Sequence, residues 1–369
     1  MKVESICIQN FKQFDRLEVS FKNKTLEEVS DRFLILGDNG SGKTTLLQAV
    51  ALPLALATGR IRNIADFDWT GFLPGRYWRW GTPRIELEVS FEEKELLATR
   101  EIARKWYEAQ PLERKSDSKE FVEPGNSPLV RVILDGDFCK IGNSKAESEQ
   151  FRGRYYAQWF INKGDQSVRS LFSQLPGVFW FDQFRNLGSN SNQESVGDSI
   201  KERSTGISFE FGVGRLRQFL VDWRRRQESG RNYSVDYLGQ LETLYQKIFP
   251  NRSFWGLENL PSPDSPTEET TYFLIDDGHR RYDIVEMSAG EQTVFLFLYE
   301  FVRQQIAYSV VLIDEIEFNL HPSAAQFLVS QLNKIAPTCQ FIFTTHSKAV
   351  SDVVSESDTY RLLGGALCL

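Results

Sequence analysis

One octapeptide constrains this chain more than any other stretch. Gly37-Asp38-Asn39-Gly40-Ser41-Gly42-Lys43-Thr44 has the spacing G-x-x-x-x-G-K-[ST]. Before it stands Phe33-Leu34-Ile35-Leu36, a continuous apolar run of the kind a parallel strand buried on both faces requires. After it, a Leu- and Ala-rich stretch from Lys43 to about Thr58 predicts a helix. Strand, glycine loop and helix in that order give the spacing its chemical meaning. The glycines let the backbone curl until successive N–H groups converge on phosphate oxygens, a path that side chains obstruct. The positive end of the following helix adds to the attraction. The expected nucleotide contacts are therefore Gly37, Asn39, Gly40, Ser41, Gly42, Lys43, Thr44 and Thr45. Lys43 would supply the cation for the β- and γ-phosphates and Thr44 a hydroxyl ligand for Mg²⁺, so ATP and Mg²⁺ are the expected cofactors.

A second apolar strand, Val310-Val311-Leu312-Ile313, ends in Asp314-Glu315. In an open α/β sheet, ligands sit beyond the carboxyl ends of the strands, on the same edge as the glycine loop. Asp314 is then expected to hold Mg²⁺, directly or through water. Glu315 is placed to orient or deprotonate the attacking water.

The rest of the chain frames these two motifs. Strand-like alternation appears at Ile6 and Ile8, at Leu17, Val19 and Phe21, and at Ile85, Leu87, Val89 and Phe91. A hairpin is predicted from Tyr272 to Ile275 and Tyr282 to Val285 around Asp277-Gly278. A very apolar helix follows from Gly290 to Gln305, and Gln340 to Thr344 forms a third buried strand. Polar stretches at 111–128, 188–206 and 261–269 predict loops. The expected fold is α/β, a P-loop NTPase head built from both chain ends with a helical insertion. Its expected parts are an N-terminal lobe at 1–139, a mostly helical insertion at 140–260 and a C-terminal lobe at 261–369.

With 369 residues, 41% hydrophobic and 25% charged, the composition is that of an ordinary globular protein. No apolar run approaches the roughly 20 residues needed to span a bilayer. Met1-Lys2-Val3-Glu4 leads straight into strand pattern, so no signal peptide is expected. Four scattered cysteines without C-x-x-C spacing point to reduced thiols in a cytoplasm. The net charge of −7 argues mildly against autonomous nucleic-acid binding.

Further motifs carry a resemblance. Ser288-Ala289-Gly290-Glu291-Gln292, introduced by Met287, resembles the signature motif of ABC-type ATPases. The run Ile316-Glu317-Phe318-Asn319-Leu320-His321-Pro322 after Asp314-Glu315 resembles the D-loop region of the branch containing RecF, SMC heads and the OLD family. Thr344-Thr345-His346-Ser347 resembles that branch's switch histidine, and Asn10-Phe11-Lys12-Gln13-Phe14 its opening motif. The resemblance covers about the first 60 and last 85 residues and implies an ABC-type head that closes on a second copy of itself, a homodimer around two ATP. In it, Ser288 and Gly290 would meet the γ-phosphate held by the partner subunit. His346 would contact the γ-phosphate of its own subunit, and Lys12 would touch phosphate. Glu315, His346 and Lys43 are thus the expected catalytic residues. Taken alone, Ser288 also fits a helix cap and His346 a buried strand-end histidine.

One departure stands out. No Q-loop glutamine lies between Ala49 and Ala109, and the span is instead aromatic and basic around Arg62, Trp69, Phe72, Arg76, Tyr77, Trp78, Arg79 and Trp80. Asp66 and Asp68 are the acids on hand to take its place. The interval from Lys43 to Ser288 is too short for SMC arms, and the residues after His346 are too few for the nuclease domain of OLD-type proteins. The expected function is a nucleotide-gated switch or scaffold for a separate effector protein, a nuclease, as in bacterial anti-phage systems. The alternative is a RecF-like DNA-binding clamp in repair, using Arg215, Arg217, Arg224, Arg225, Arg226 and Arg231. That cluster also fits a solvated helix face covering Trp223. A transporter subunit is disfavoured by Asn319-Leu320-His321-Pro322. Trp78, Trp80 and the segment Phe179 to Arg185 are weaker candidates for partner surfaces.

Overall fold

The helix after the glycine loop, Lys43–Ala57 (α1), is buried at every position except Thr44 and Leu56, and this dictates what surrounds it. A helix apolar on all sides must be covered on all sides. In the computed structural model α1 lies between two sheets. One holds the antiparallel strands Lys2–Phe11 (β1), Phe14–Ser20 (β2), Arg84–Ser90 (β4), Leu129–Asp135 (β5) and Phe138–Ile141 (β6), in the order β2-β1-β4-β5-β6. The other is wholly parallel, β13-β3-β12-β11-β7, built from Arg32–Leu36 (β3), Gly177–Phe181 (β7), Ser309–Ile313 (β11), Gln340–Thr345 (β12) and Thr359–Arg361 (β13). Each buried leucine of α1, such as Leu46, Leu47, Leu52 and Leu54, contributes about 1.5–3 kcal/mol of apolar transfer.

The structure describes residues 1–78, 81–110, 121–181, 209–229, 235–261 and 269–362. Arg79, Trp80, Asp182 to Arg185, Arg231, Cys368 and the predicted loop 188–206 lie outside them, as do the side chain of Arg215 and most of the predicted loops 111–128 and 261–269.

Two compact units divide the chain, and the sheets just described belong to the first: Met1–Gln183, Gln305–Phe318 and Leu332–Leu369. Gln340, fully buried on β12, gives and takes one hydrogen bond each with the backbone of Val3 on β1, at 2.9 and 2.7 Å. A buried amide satisfied at both ends ties the two sheets at that edge. Helix Glu93–Glu108 (α2) and the shorter helices Lys145–Glu149 (α3) and Gly153–Asn162 (α4) complete this unit's major elements.

The expected boundary at 140 therefore needs correction. Strand β6 straddles it, and β7, from inside the expected insertion, is an integral strand of the parallel sheet, with Val178 opposite Val310 and Trp180 opposite Leu312. A five-residue apolar run carries no periodicity that separates a buried strand from a buried helix turn.

The second unit comprises Phe184–Gln304 and Asn319–Gln331. Its sheet, β10-β9-β8, joins Ser253–Pro261 (β8), Glu269–Asp276 (β9) and Arg281–Asp283 (β10). The predicted hairpin forms: Asp276 pairs with Arg281, Gly278 takes a φ of 85°, and the Asp277 carboxylate accepts the N–H groups of His279 and Arg280. Helices Phe209–Glu228 (α5), Tyr237–Ile248 (α6) and Ala289–Arg303 (α7) belong to this unit, where Trp223 stacks between Tyr237 and Tyr299. Pro322–Ile335 (α8) and Lys348–Ser351 (α9) are the last α-helices among the described residues.

Candidate nucleotide site

The parallel sheet delivers three chain ends to one edge. Register pairs Leu36 with Thr345, so the glycine loop leaves β3 beside the turn that leaves β12. Ile313 pairs with Phe343, which brings Asp314 alongside Thr344.

Within the loop, Asn39 and Gly40 form an exposed crest while Ser41, Gly42 and Lys43 are buried. Gly42 has a φ of 100°, and a Cβ there would stand 2.5 Å from Gln13 Nε2. A Cβ at Gly37 would stand 2.6 Å from Ser41 Oγ. A side chain is disfavoured at Gly37 for reasons of space and at Gly42 for reasons of space and backbone angle. The Lys43 ammonium bridges the loop, donating to the carbonyls of Gly37 at 2.8 Å and Asp38 at 3.0 Å. Ser41 Oγ is buried without a hydrogen-bond partner among the described residues. A buried hydroxyl is ordinarily satisfied, so this one fits a ligand oxygen. Thr45 is buried as the third residue of the helix.

Asp314 is only 1% exposed, and both of its carboxylate oxygens are engaged. Oδ2 accepts from the Thr44 hydroxyl at 2.7 Å and Oδ1 from the Thr344 hydroxyl at 2.6 Å. Thr344 Oγ1 in turn accepts the backbone N–H of Glu315 at 2.8 Å. Glu315 sits at a φ of 46°, a strained angle of the kind that clusters at functional sites. The donor set of one carboxylate and one hydroxyl fits a hard divalent cation that takes its remaining ligands from water and phosphate oxygens. Among the described residues, no cluster of three or more His, Cys, Asp or Glu is arranged to hold a metal.

His346 is 54% exposed, and its Nδ1 lies 3.1 Å from Glu317 Oε1. That oxygen also accepts the N–H groups of His346 at 2.8 Å and Ser347 at 3.2 Å. Lys12 is placed differently from the expectation of a phosphate contact. Its ammonium donates to Gln48 Oε1 at 2.8 Å and to the Gly71 carbonyl at 2.9 Å, and burial holds its pKa below the ordinary lysine value. The neighbouring residue reaches the loop instead: Gln13 Nε2 donates to the Gly40 carbonyl at 3.0 Å. Lys12 and Gln13 form the tight turn between Phe11 and Phe14, with Lys12 at a φ of 52°, so their side chains diverge. The Asp66 carboxylate accepts the N–H groups of Arg62 and Asn63 in its own turn.

Ser288 and Gly290 lie in the second unit. Ser288 is exposed and caps α7, its hydroxyl accepting the Glu291 N–H at 3.2 Å. A Cβ at Gly290 would come within 3.3 Å of the Asn319 carbonyl. Glu291, next in the motif, is buried and accepts hydrogen bonds from the hydroxyls of Tyr245 and Tyr282, with Arg252 at 3.3 Å. Of the basic residues proposed for DNA, Arg217 is held by Asp283 through both carboxylate oxygens, and Arg224 pairs with Glu228.

Thr344, Gln13 and Glu317 stood inside the sequence motifs without a role of their own, and Gln48 was not singled out. A hydroxyl ending the strand beside the Asp314 strand was the available signal for Thr344. The others depend on which turns meet in space.

The family described as “AAA domain, putative AbiEii toxin, Type IV TA system” matches residues 155–352, more than half of the chain. The family described as “AAA ATPase domain” matches residues 1–115. The chain is 21% identical over 416 residues to the “Retron Ec83 probable ATPase” of Escherichia coli, covering 99% of this chain and 72% of that one. It is 22% identical over 389 residues to the “Retron Vc95 probable ATPase” of Vibrio cholerae serotype O1 biovar El Tor, covering 96% and 72%. Similarity to the “Septu protein PtuA” of Bacillus mycoides (strain KBAB4) is 22% over 349 residues, covering 94% of this chain and 38% of that one. Among solved structures, the “SMC head domain from Thermotoga maritima” aligns with a TM-score of 0.47 at 15% identity, over 99% of this chain and 97% of that one. Among the described residues no helix is long and apolar enough to cross a membrane.

Proposed function

The chain belongs to the family of AAA domains that spans its residues 155–352, and from that premise we propose that its ATPase activity runs a nucleotide-gated switch in anti-phage defence. It is a P-loop ATPase. The defence setting rests on its similarity along nearly its whole length to the two retron ATPases and to the Septu protein. In this reading the switch serves a separate effector protein, a nuclease.

The observation that carries the chemistry is the pair of hydrogen bonds on Asp314, one to Thr44 of the phosphate loop and one to Thr344. Thr44 and Asp314 would hold the divalent cation, which neutralises charge developing on the β- and γ-phosphate oxygens. Lys43 and the N–H groups of the loop bind the same phosphates, and the Ser41 hydroxyl donates to one of their oxygens. The Thr344 hydroxyl fixes Asp314 and the Glu315 backbone at a set spacing. Glu315 orients the attacking water and takes its proton. The exposed cap of α7 at Ser288 supports a composite site, in which this helix end meets the γ-phosphate held by a second copy of the chain.

The test is the mass of the Glu315→Gln protein by light scattering with and without Mg-ATP, together with wild-type ATPase activity with and without DNA. ATP-dependent doubling of mass with turnover indifferent to DNA is the expected result. DNA-stimulated turnover with salt-sensitive DNA binding would replace the switch by the repair clamp. A mass that stays at one chain in both conditions would remove the composite site.

A further inference from the structure

Glu317 is nine-tenths buried, yet the reaction outlined above gives it no part. Its Oε1 accepts the backbone N–H groups of His346 and Ser347 and lies 3.1 Å from the His346 ring at Nδ1. Oε2 is buried with no hydrogen-bond partner among the described residues. A carboxylate taken out of water is costly unless its oxygens are well served. Such a carboxylate, with two backbone hydrogen bonds on one oxygen and none from the described residues on the other, stands where β11 and β12 end and suits a residue kept for what it orients.

The backbone explains how it reaches that position. Glu315 and Asn319 both take left-handed angles, φ 46° and 61°, and the Phe318 N–H closes a turn on the Glu315 carbonyl at 2.8 Å. This turn folds Glu317 back beneath the segment that follows β12. A carboxylate can only accept, so a bond from this ring nitrogen requires Nδ1 to carry the proton. With Nδ1–H directed at Glu317, Nε2 is the nitrogen turned away from it.

We propose that Glu317 is a positioning residue for His346: it holds the segment His346-Ser347 by its backbone and fixes the imidazole with Nδ1–H inward and Nε2 presented to the terminal phosphate. The proposal rests on the assignment of His346 to the γ-phosphate. Where the carboxylates of the motif divide the work, Glu315 acts on water and Glu317 acts through the histidine.

The expected kinetic pattern is a loss of kcat in Glu317→Ala on the order of 10²-fold, the effect of a misplaced group, with the KM for ATP little changed. Glu317→Gln keeps an acceptor oxygen and should recover much of the loss. The double variant Glu317→Ala/His346→Ala should be no slower than His346→Ala, because both changes remove one function. Full turnover in Glu317→Ala beside an impaired His346→Ala overturns the proposal alone. Full turnover in His346→Ala overturns the reading it rests on, and the proposal with it. A second measurement does not depend on activity. The chain has three histidines, so ring ¹⁵N spectra of the wild type can be assigned with His346→Ala. The Nδ1–H form of His346 is expected in the wild type, with its loss in Glu317→Ala; a wild-type ring protonated only at Nε2 overturns the proposal.

Discussion

Thr44 and Asp314 stand 270 positions apart in the chain, and the threonine hydroxyl donates to the aspartate at 2.7 Å. One residue opens the helix of the phosphate loop and the other ends a strand of the same parallel sheet. The hydrogen bond therefore reports that two distant motifs have reached a common edge in register. It also shows that the two groups proposed to hold the metal are held in place by each other.

Replacing Asp314 should separate metal dependence from nucleotide affinity. Asp314→Asn keeps the shape and loses the charge. Turnover should fall on the order of 10²-fold or more, the worth of a few kcal/mol of metal-supplied charge stabilisation. Binding of ATP without metal should persist. A Mg²⁺ titration of ATPase activity beside equilibrium binding in chelator checks both.

Thr344 is fully buried and serves two partners, Asp314 Oδ1 and the Glu315 N–H. Thr344→Val keeps the volume and leaves both without it, at a cost of about 1–3 kcal/mol. Urea unfolding should show the loss as a lower midpoint with unchanged slope, and kcat should fall as Glu315 loses its anchor. Thr344→Ser should restore both quantities.

At Gly42 the backbone angle and the space act together. Gly42→Ala places a methyl 2.5 Å from Gln13 Nε2 and 2.6 Å from the Phe14 ring, at a φ of 100°. The angle alone costs about 1–2 kcal/mol. A lower Tm and weaker ATP binding are expected. Adding Gln13→Ala should return only the part owed to the clash with that side chain, measured by the same melting curve.

The shared active site has a complementation test. Lys43→Ala chains lack the phosphate cation, and Ser288→Arg chains present a bulky cation where the partner's γ-phosphate should arrive. Each alone should be inactive, while a mixture forms at most one intact site and should recover part of the wild-type ATPase rate. No recovery over a range of mixing ratios would count against sharing.

Several of the site's members were legible because their chemistry demands a local pattern. Gly37 to Thr44 is contiguous, and so is the strand ending in Asp314-Glu315. His346 was reached through the resemblance of Thr344-Thr345-His346-Ser347 to a switch-histidine motif. Glu317 stood in the quoted D-loop run without a role, since nothing in its neighbours tells which segment its side chain meets. Lys12 shows the converse: its motif drew attention to the residue, but the turn directs its ammonium to Gln48 and Gly71.

The sequence by itself determined the phosphate loop, the acidic strand end and an α/β fold assembled from both chain ends, because each follows from adjacent residues and a local period. Only the tertiary structure decided that Gly177–Phe181 completes the parallel sheet beside β11, that Thr344 joins Asp314 to Glu315, and that Glu317 turns toward His346. Those outcomes depend on strand order and on the path of tight turns. Both are set by the packing of residues far apart in the chain, and no window of neighbouring residues contains them.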